Sequence, residues 1–266
     1  MGSDTVIPGL GGFVCVRQGI NLDYSFQLAI ESLLKVCEQV VCCNSDSSDG
    51  TTEELQRMAE KEPRIKLINW EWKNPKGVSH HAWIEWLNYA RKHLDTPMSI
   101  YLDADEVLDD RPECYTALQE AVAQKKSLRV DRLNLYKSPE LLIPFDKCCG
   151  KWVVRVGPTE YESVSDQPVH KGEYQIVDEA AKEPRVKIWH LGFLRDQKAF
   201  YRKARAVFSM WEGELRDQRL IAAEEANKPV WEAENEWIND LVPHNEGYYP
   251  KAVKKWLEDR GHLIIE

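Results

Sequence analysis

The chain has 266 residues, 43% of them hydrophobic and 30% charged, which is the balance of a soluble globular protein. Thirty-five basic against 44 acidic side chains give a net charge of −9, which argues against general nucleic-acid binding while leaving room for a local basic face. No apolar stretch approaches the ~20 residues of a membrane-spanning helix, and seven cysteines without a Cys-x-x-Cys read as reduced thiols of a cytosolic protein.

In chain order, Phe13 to Val16 reads as a first strand, and 24–37 as a helix with Phe26, Ala29, Leu33 and Val36 near helical spacing. Residues 39–43 form a second strand. Its neighbours Cys42 and Cys43 point to opposite faces, so they are expected to pack rather than to share a metal. The polar loop "NSDSSDGT" follows, where Asp49 or Thr51 can cap a helix over 52–60. "RIKLINW" alternates as a third strand, 78–93 is helical in period, and 98–102 is a fourth, apolar strand. An order β-α-β-α-β-α-β with short links predicts a parallel sheet covered by helices. Such sheets bind ligands beyond the carboxyl ends of their strands. Arg17, the "NSDSSD" loop and "DADE" each follow a strand, so all three are expected at one edge. After residue 110 the pattern loosens into a helix over 112–125, strands over 128–136, 151–156 and 186–191, and helices from 197 onward.

The stretch "IYLDADEVLDD", Ile100 to Asp110, climbs out of an apolar strand into a cluster of carboxylates. Alternation puts Asp103 and Asp105 on one side of the chain. Two carboxylates that close do not both ionise cheaply unless a cation neutralises them. Hard oxygen ligands of this kind suit Mg²⁺ or Mn²⁺ together with substrate phosphates. The alternative is a solvated acidic turn, and Asp-x-Asp alone is a weak signal.

Four blocks in order, "FVCVRQGINLDYSFQLAIESL", "VVCCNSDSSDGTTEEL", "GVSHHAWIEWLNYA" and "IYLDADEVL", resemble family 2 glycosyltransferases of the GT-A fold. The resemblance is close over residues 11–110, looser to about 195, and faint beyond. It implies an α/β, Rossmann-like GT-A architecture, a mixed and mainly parallel sheet flanked by helices. The nucleotide-sugar-binding catalytic domain would span 1–195 and a helical C-terminal extension 196–266. It also implies metal-dependent transfer of a sugar, with inversion, from a nucleotide-diphosphate sugar (a UDP-sugar first) to a hydroxyl acceptor. That acceptor would be a glycan, a lipid-linked glycan or, as in some phage enzymes, a hydroxymethylated DNA base.

Residue by residue, the resemblance places Arg17 beside the nucleotide and Asn44 where the family has an Asp that reads uracil. Asp49 matches a second acidic position in that loop. Asp103 is expected near ribose and metal, Asp105 on the metal, and His190 of "IWHLGFLRD" as a third ligand to Mn²⁺ or Mg²⁺, with Gly192 allowing close approach of the backbone. The general base falls on Glu160 or Glu162 of "VGPTEYESV", which share a face if the segment is a strand. In "RDQKAFYRKARAVF", Lys198, Arg202 and Arg205 share a helical face that either receives phosphates or pairs with Glu212 and Glu214. Most of the ten tryptophans are expected in the core. Two other classes stay open. A nucleotidyltransferase should carry a Gly-rich phosphate loop, which "VRQGINLDY" lacks. A nucleotide-sugar-binding module without turnover is consistent with Asn44 and with the missing His before the candidate base.

Overall fold

The structure is a computed structural model that describes residues 6–72, 80–143, 153–162, 176–177, 185–208, 221–226, 228, 241–244 and 247–262. The expected α/β architecture is present: a mixed, largely parallel sheet flanked by helices. Its first half is built from β1 (Ile7–Val16), α1 (Phe26–Leu34), β2 (Cys37–Asn44), α2 (Thr51–Lys61), β3 (Ile65–Asn69), α3 (His80–Arg91) and β4 (Met98–Leu102). These strands run parallel in the order β3-β2-β1-β4. The order reverses between β2 and β4 on either side of β1, the type of switch point where open sheets bind ligands.

Alternation along the strands divides the core. Val14, Val16, Val40 and Cys42 face α1 and α2, whereas Phe13, Cys15, Val41 and Cys43 meet Trp86, Leu87 and Ala90 of α3. Cys42 and Cys43 therefore do part to opposite faces, and Cys43 Sγ accepts the Trp86 indole N–H at 3.1 Å. All five cysteines among the described residues are buried free thiols; Cys148 and Cys149 lie outside them.

The second half adds β5 (Glu106–Leu108), α4 (Pro112–Gln124), β6 (Ser127–Tyr136), β7 (Ser138–Leu142), β8 (Val153–Pro158), β9 (Ile176–Val177), β10 (Val186–Phe193), α5 (Gln197–Phe208), β11 (Val242–Pro243) and α6 (Lys251–Asp259). Strand β8 runs antiparallel to β4, with Met98 opposite Pro158 and Ile100 opposite Val156. Strand β6 is antiparallel to β8 and parallel to β10. The carboxyl ends of β6 and β10 and the beginning of β8 consequently lie at the same edge as the end of β4. From the C-terminal part, Val253 and Leu257 of α6 pack against Trp189, Leu191 and Leu28. No helix among the described residues is long and apolar enough to cross a membrane.

Candidate functional site

The loops after β1 and β2 are stitched together by side chains. Gln18 takes the left-handed conformation, and its backbone N–H donates to Ser47 Oγ at 3.0 Å. Asp49 accepts the backbone N–H of Asn21 at 2.7 Å and the Thr51 hydroxyl at 2.6 Å. Burial works against its charge, but those hydrogen bonds hold its carboxyl below the usual range. Asp49 thus orders the loop from one residue outside the helix, whose N-cap is Gly50.

Behind these loops sits a group of polar atoms without partners. Arg17 lies over the Trp72 ring at 5.2 Å. Asn44 ends β2 with its Nδ2 on Thr52 Oγ1 at 3.1 Å and Asn69 Oδ1 at 3.3 Å. Arg17 Nε, Asn44 Oδ1, Ser45 Oγ and Trp72 Nε1 are buried with no hydrogen-bond partner among the described residues. Each such atom costs on the order of 1–3 kcal/mol if nothing else satisfies it, and four of them gather at one sheet edge.

On the other side of β1, the acidic cluster is wrapped in cations. Asp103 accepts the Tyr101 hydroxyl and the Arg155 guanidinium, the latter at 3.0 Å, with Arg132 at 3.5 Å. Glu106, fully buried, accepts Arg155 at 3.0 Å, meets Arg132 Nε at 2.5 Å, and takes the backbone N–H of Asp103 at 2.8 Å. Asp105 Oδ2 receives Arg195 at 2.6 Å and Lys203 at 2.5 Å, while His190 Nε2 stands 3.5 Å from its Oδ1. The Tyr24 ring carries both cations, at 4.8 Å from Arg195 and 5.1 Å from Lys203.

The protonation states follow from this packing. Burial would raise the Asp105 pKa, but Lys203, His190 and Arg195 hold it well below the carboxylate range. Asp103 is likewise held down by Arg155 and Arg132 against burial. Burial pushes Glu106 up to about 7 despite its arginines. Burial and Arg132 push His190 down to about 3, so its imidazole is neutral. Burial and Arg195 bring Lys203 to about 8, still protonated at neutral pH. Four cations thus face three carboxylates, and the cluster carries an excess of positive charge.

A divalent cation held by Asp103, Asp105 and His190 would need lone pairs from all three converging at ~2.0–2.2 Å. The residue types suit such an ion but their arrangement does not. Both oxygens of Asp103 and Oδ2 of Asp105 accept from Tyr101, Arg155, Arg195 and Lys203, Asp105 Oδ1 faces His190 Nε2 at 3.5 Å, and no three His, Cys, Asp or Glu side chains converge among the described residues.

Glu160 and Glu162 lie away from this edge. The strand stops at Pro158, opposite Met98, and Thr159 N–H donates to Pro97 O at 2.9 Å. Five residues of strand separate Met98 from Asp103, about 16 Å at the usual rise. Glu162 is half exposed and pairs with Lys92 at 3.3 Å. The sequence could not show that β8 runs antiparallel to β4. If this edge binds a nucleoside diphosphate, a Glu160→Gln, Glu162→Gln double variant should bind it as the wild type does in a calorimetric titration; a loss of affinity would return the pair to the site.

The basic segment also divides differently. Arg205 pairs with Glu224, Arg202 Nε donates to Asn21 O at 2.7 Å, and Lys203 turns inward. Glu212 and Glu214 lie outside the described residues, as do Trp152, Trp211, Trp231 and Trp237; Trp86 and Trp189 are core. Sequence reasoning missed Arg132, Arg155 and Glu106. For Arg155 the signal was a charge inside an apolar strand, "WVVRV", which must find an opposite charge when buried.

Gly192 admits no side chain: a Cβ there would lie 2.5 Å from both Asp105 Oδ2 and His190 Nε2. Gly192→Ala should push Asp105 off its cations and destabilise the fold by about 1–3 kcal/mol in a denaturant titration.

No family model and no curated protein matches the chain. Among solved structures it is similar to the mannosyltransferase PcManGT of Pyrobaculum calidifontis, determined in complex with GDP-Man and Mn²⁺. That likeness has 22% identity over 50% of this chain and 37% of that one, at a TM-score of 0.33. It is also similar to TarS of S. aureus, with 15% identity over 82% of this chain and 43% of that one, at a TM-score of 0.40. The chain thus spans less than half the length of either, and any function has to rest on the site itself.

Proposed function

We propose that the chain is a glycosyltransferase of the GT-A type, moving a sugar from a nucleotide-diphosphate sugar to a hydroxyl acceptor with inversion. One observation carries this reading. A group of buried, unpartnered polar atoms (on Arg17, Asn44, Ser45 and Trp72) and a cation-rich carboxylate cluster (Asp103, Asp105) flank β1 at the same sheet edge. A base fits the first and a diphosphate the second. Asn44 offers an amide where the resemblance leads one to expect a carboxylate, and its free Oδ1 suits a base that presents a ring N–H, as uracil does.

As the glycosidic C–O bond breaks, negative charge develops on the departing diphosphate, and cations already held in place there stabilise it without reorganising. The acceptor oxygen attacks the anomeric carbon from the opposite face while its proton passes to a base. Glu160 and Glu162 lie beside Pro97 and Lys92, away from the Asp103 edge. This last point favours a second reading, a nucleotide-sugar-binding module without turnover.

The two readings part in one experiment. Nucleotide sugars are incubated with a panel of glycan, lipid-linked and hydroxymethylated-DNA acceptors, and nucleoside diphosphate release is followed by chromatography. Release from one donor, rising with one acceptor, supports the transferase. Binding without release leaves the module.

A further inference from the structure

We propose that Lys203, backed by Arg195, is a diphosphate-binding residue, and that these two protein cations do at Asp105 the work expected of a divalent ion. The inference rests on the glycosyltransferase reading above and names what receives the donor's leaving group.

Donor counting separates the two residues. Arg195 spends its Nε on Gly192 O at 2.7 Å, one terminal nitrogen on Leu22 O and the other on Asp105. It is 1% exposed in its side chain, and acts as a support. Lys203 has three N–H donors. One goes to Asp105, and the side chain is 19% exposed, comparable to Asp103 at 23% and Arg132 at 18%. An anion arriving from solvent therefore meets Lys203 and Arg132 first, with Arg195 and Arg155 behind them.

The position is also fixed in advance. Tyr24 stacks under the ammonium, and α5 is tied to the loop after β1 through Arg202 and Asn21. Lys203 shares a stripe with buried Ala199, Phe200 and Ala204, so its inward direction is set by the helix and not by a flexible tail. The carboxylate repulsion that would otherwise call for a metal is already answered, because four guanidinium and ammonium groups face three carboxylates.

The test is calorimetric titration of UDP, GDP, CDP and ADP, and of the parent nucleosides, into the protein in EDTA and again in Mn²⁺. Lys203→Met and Lys203→Arg are titrated alongside, with thermal unfolding to confirm that each is folded. The expected result is that one nucleoside diphosphate binds the wild type in EDTA. Lys203→Met should weaken it about tenfold or more, Lys203→Arg should restore most of the affinity, and the matching nucleoside should bind all three proteins equally. Diphosphate binding that appears only with Mn²⁺, or that Lys203→Met leaves unchanged, overturns the inference while the glycosyltransferase reading stands. Binding of no nucleoside diphosphate under either condition removes that reading, and this inference with it.

Discussion

Asp105→Ala lowers the free energy of unfolding by about 3 kcal/mol, read as a shifted urea midpoint at unchanged slope. The carboxylate is the shared partner of Arg195 and Lys203 and lies 3.5 Å from His190. Removing it leaves two cations over the Tyr24 ring without the carboxylate they share. Lys203 can relax toward water through its exposed side, whereas Arg195 cannot, which keeps the loss substantial. From the sequence, this substitution reads as a clean probe of ligand binding in an intact fold. The packing makes Asp105 a structural anion as well, so binding measurements on it need the stability measurement beside them. A change within about 0.5 kcal/mol would show that the cations find other partners.

Arg155→Met gives the second large effect, again about 3 kcal/mol at neutral pH. Arg155 bridges Asp103 and Glu106 at 3.0 Å each and stacks on Tyr101 at 4.7 Å. Glu106 has no exposure to solvent, and burial already pushes its pKa up to about 7 with Arg155 present. A carboxyl whose folded pKa lies above its unfolded value near 4.3 takes up a proton on folding between those limits. Its burial is therefore least unfavourable at low pH and becomes more so as pH rises through the folded pKa. That rise begins at the unfolded pKa in both proteins, but without Arg155 the folded pKa is higher and the rise levels off later, so the deficit of the variant should shrink as pH is lowered from 8 to about 7 and stay level from there toward 5. Denaturant titrations across that range check it, and a deficit that grows on acidification would contradict the assignment of Glu106 as the group left bare.

The half of the fold that was legible in the sequence is the half in which strands are buried on both faces. "FVCV", "VVCC" and "SIYL" are short apolar runs separated by amphipathic helices, and the parallel order follows from that alternation alone. The shared carboxyl edge follows in turn, which is why Arg17, Asn44, Asp103 and Asp105 gather there. Beyond β4 the sheet reverses direction, and strand direction has no local signature. "VGPTEYESV" looks equally at home at either edge until β8 is paired antiparallel to β4. Strand β5 was hidden because it begins at Glu106, inside what reads as a solvated acidic run, and is held by pairing with β10 more than eighty residues away. Lys203 was closer to reach. Its spacing from Ala199 and Phe200 sets it on the buried stripe of α5, although Lys198, Arg202 and Arg205 offered the more obvious basic face.

Hydrogen-exchange mass spectrometry of the protein with and without a nucleoside diphosphate, taken across the four bases, tests the central claim most directly. The prediction is added protection at residues 17–24, 44–51, 103–106 and 190–203, the carboxyl edge of β1, β2, β4 and β10, for at least one base. Protection confined to the opposite edge around 158–162, or none with any of the four, would contradict a nucleotide-diphosphate site at Asp103 and Asp105.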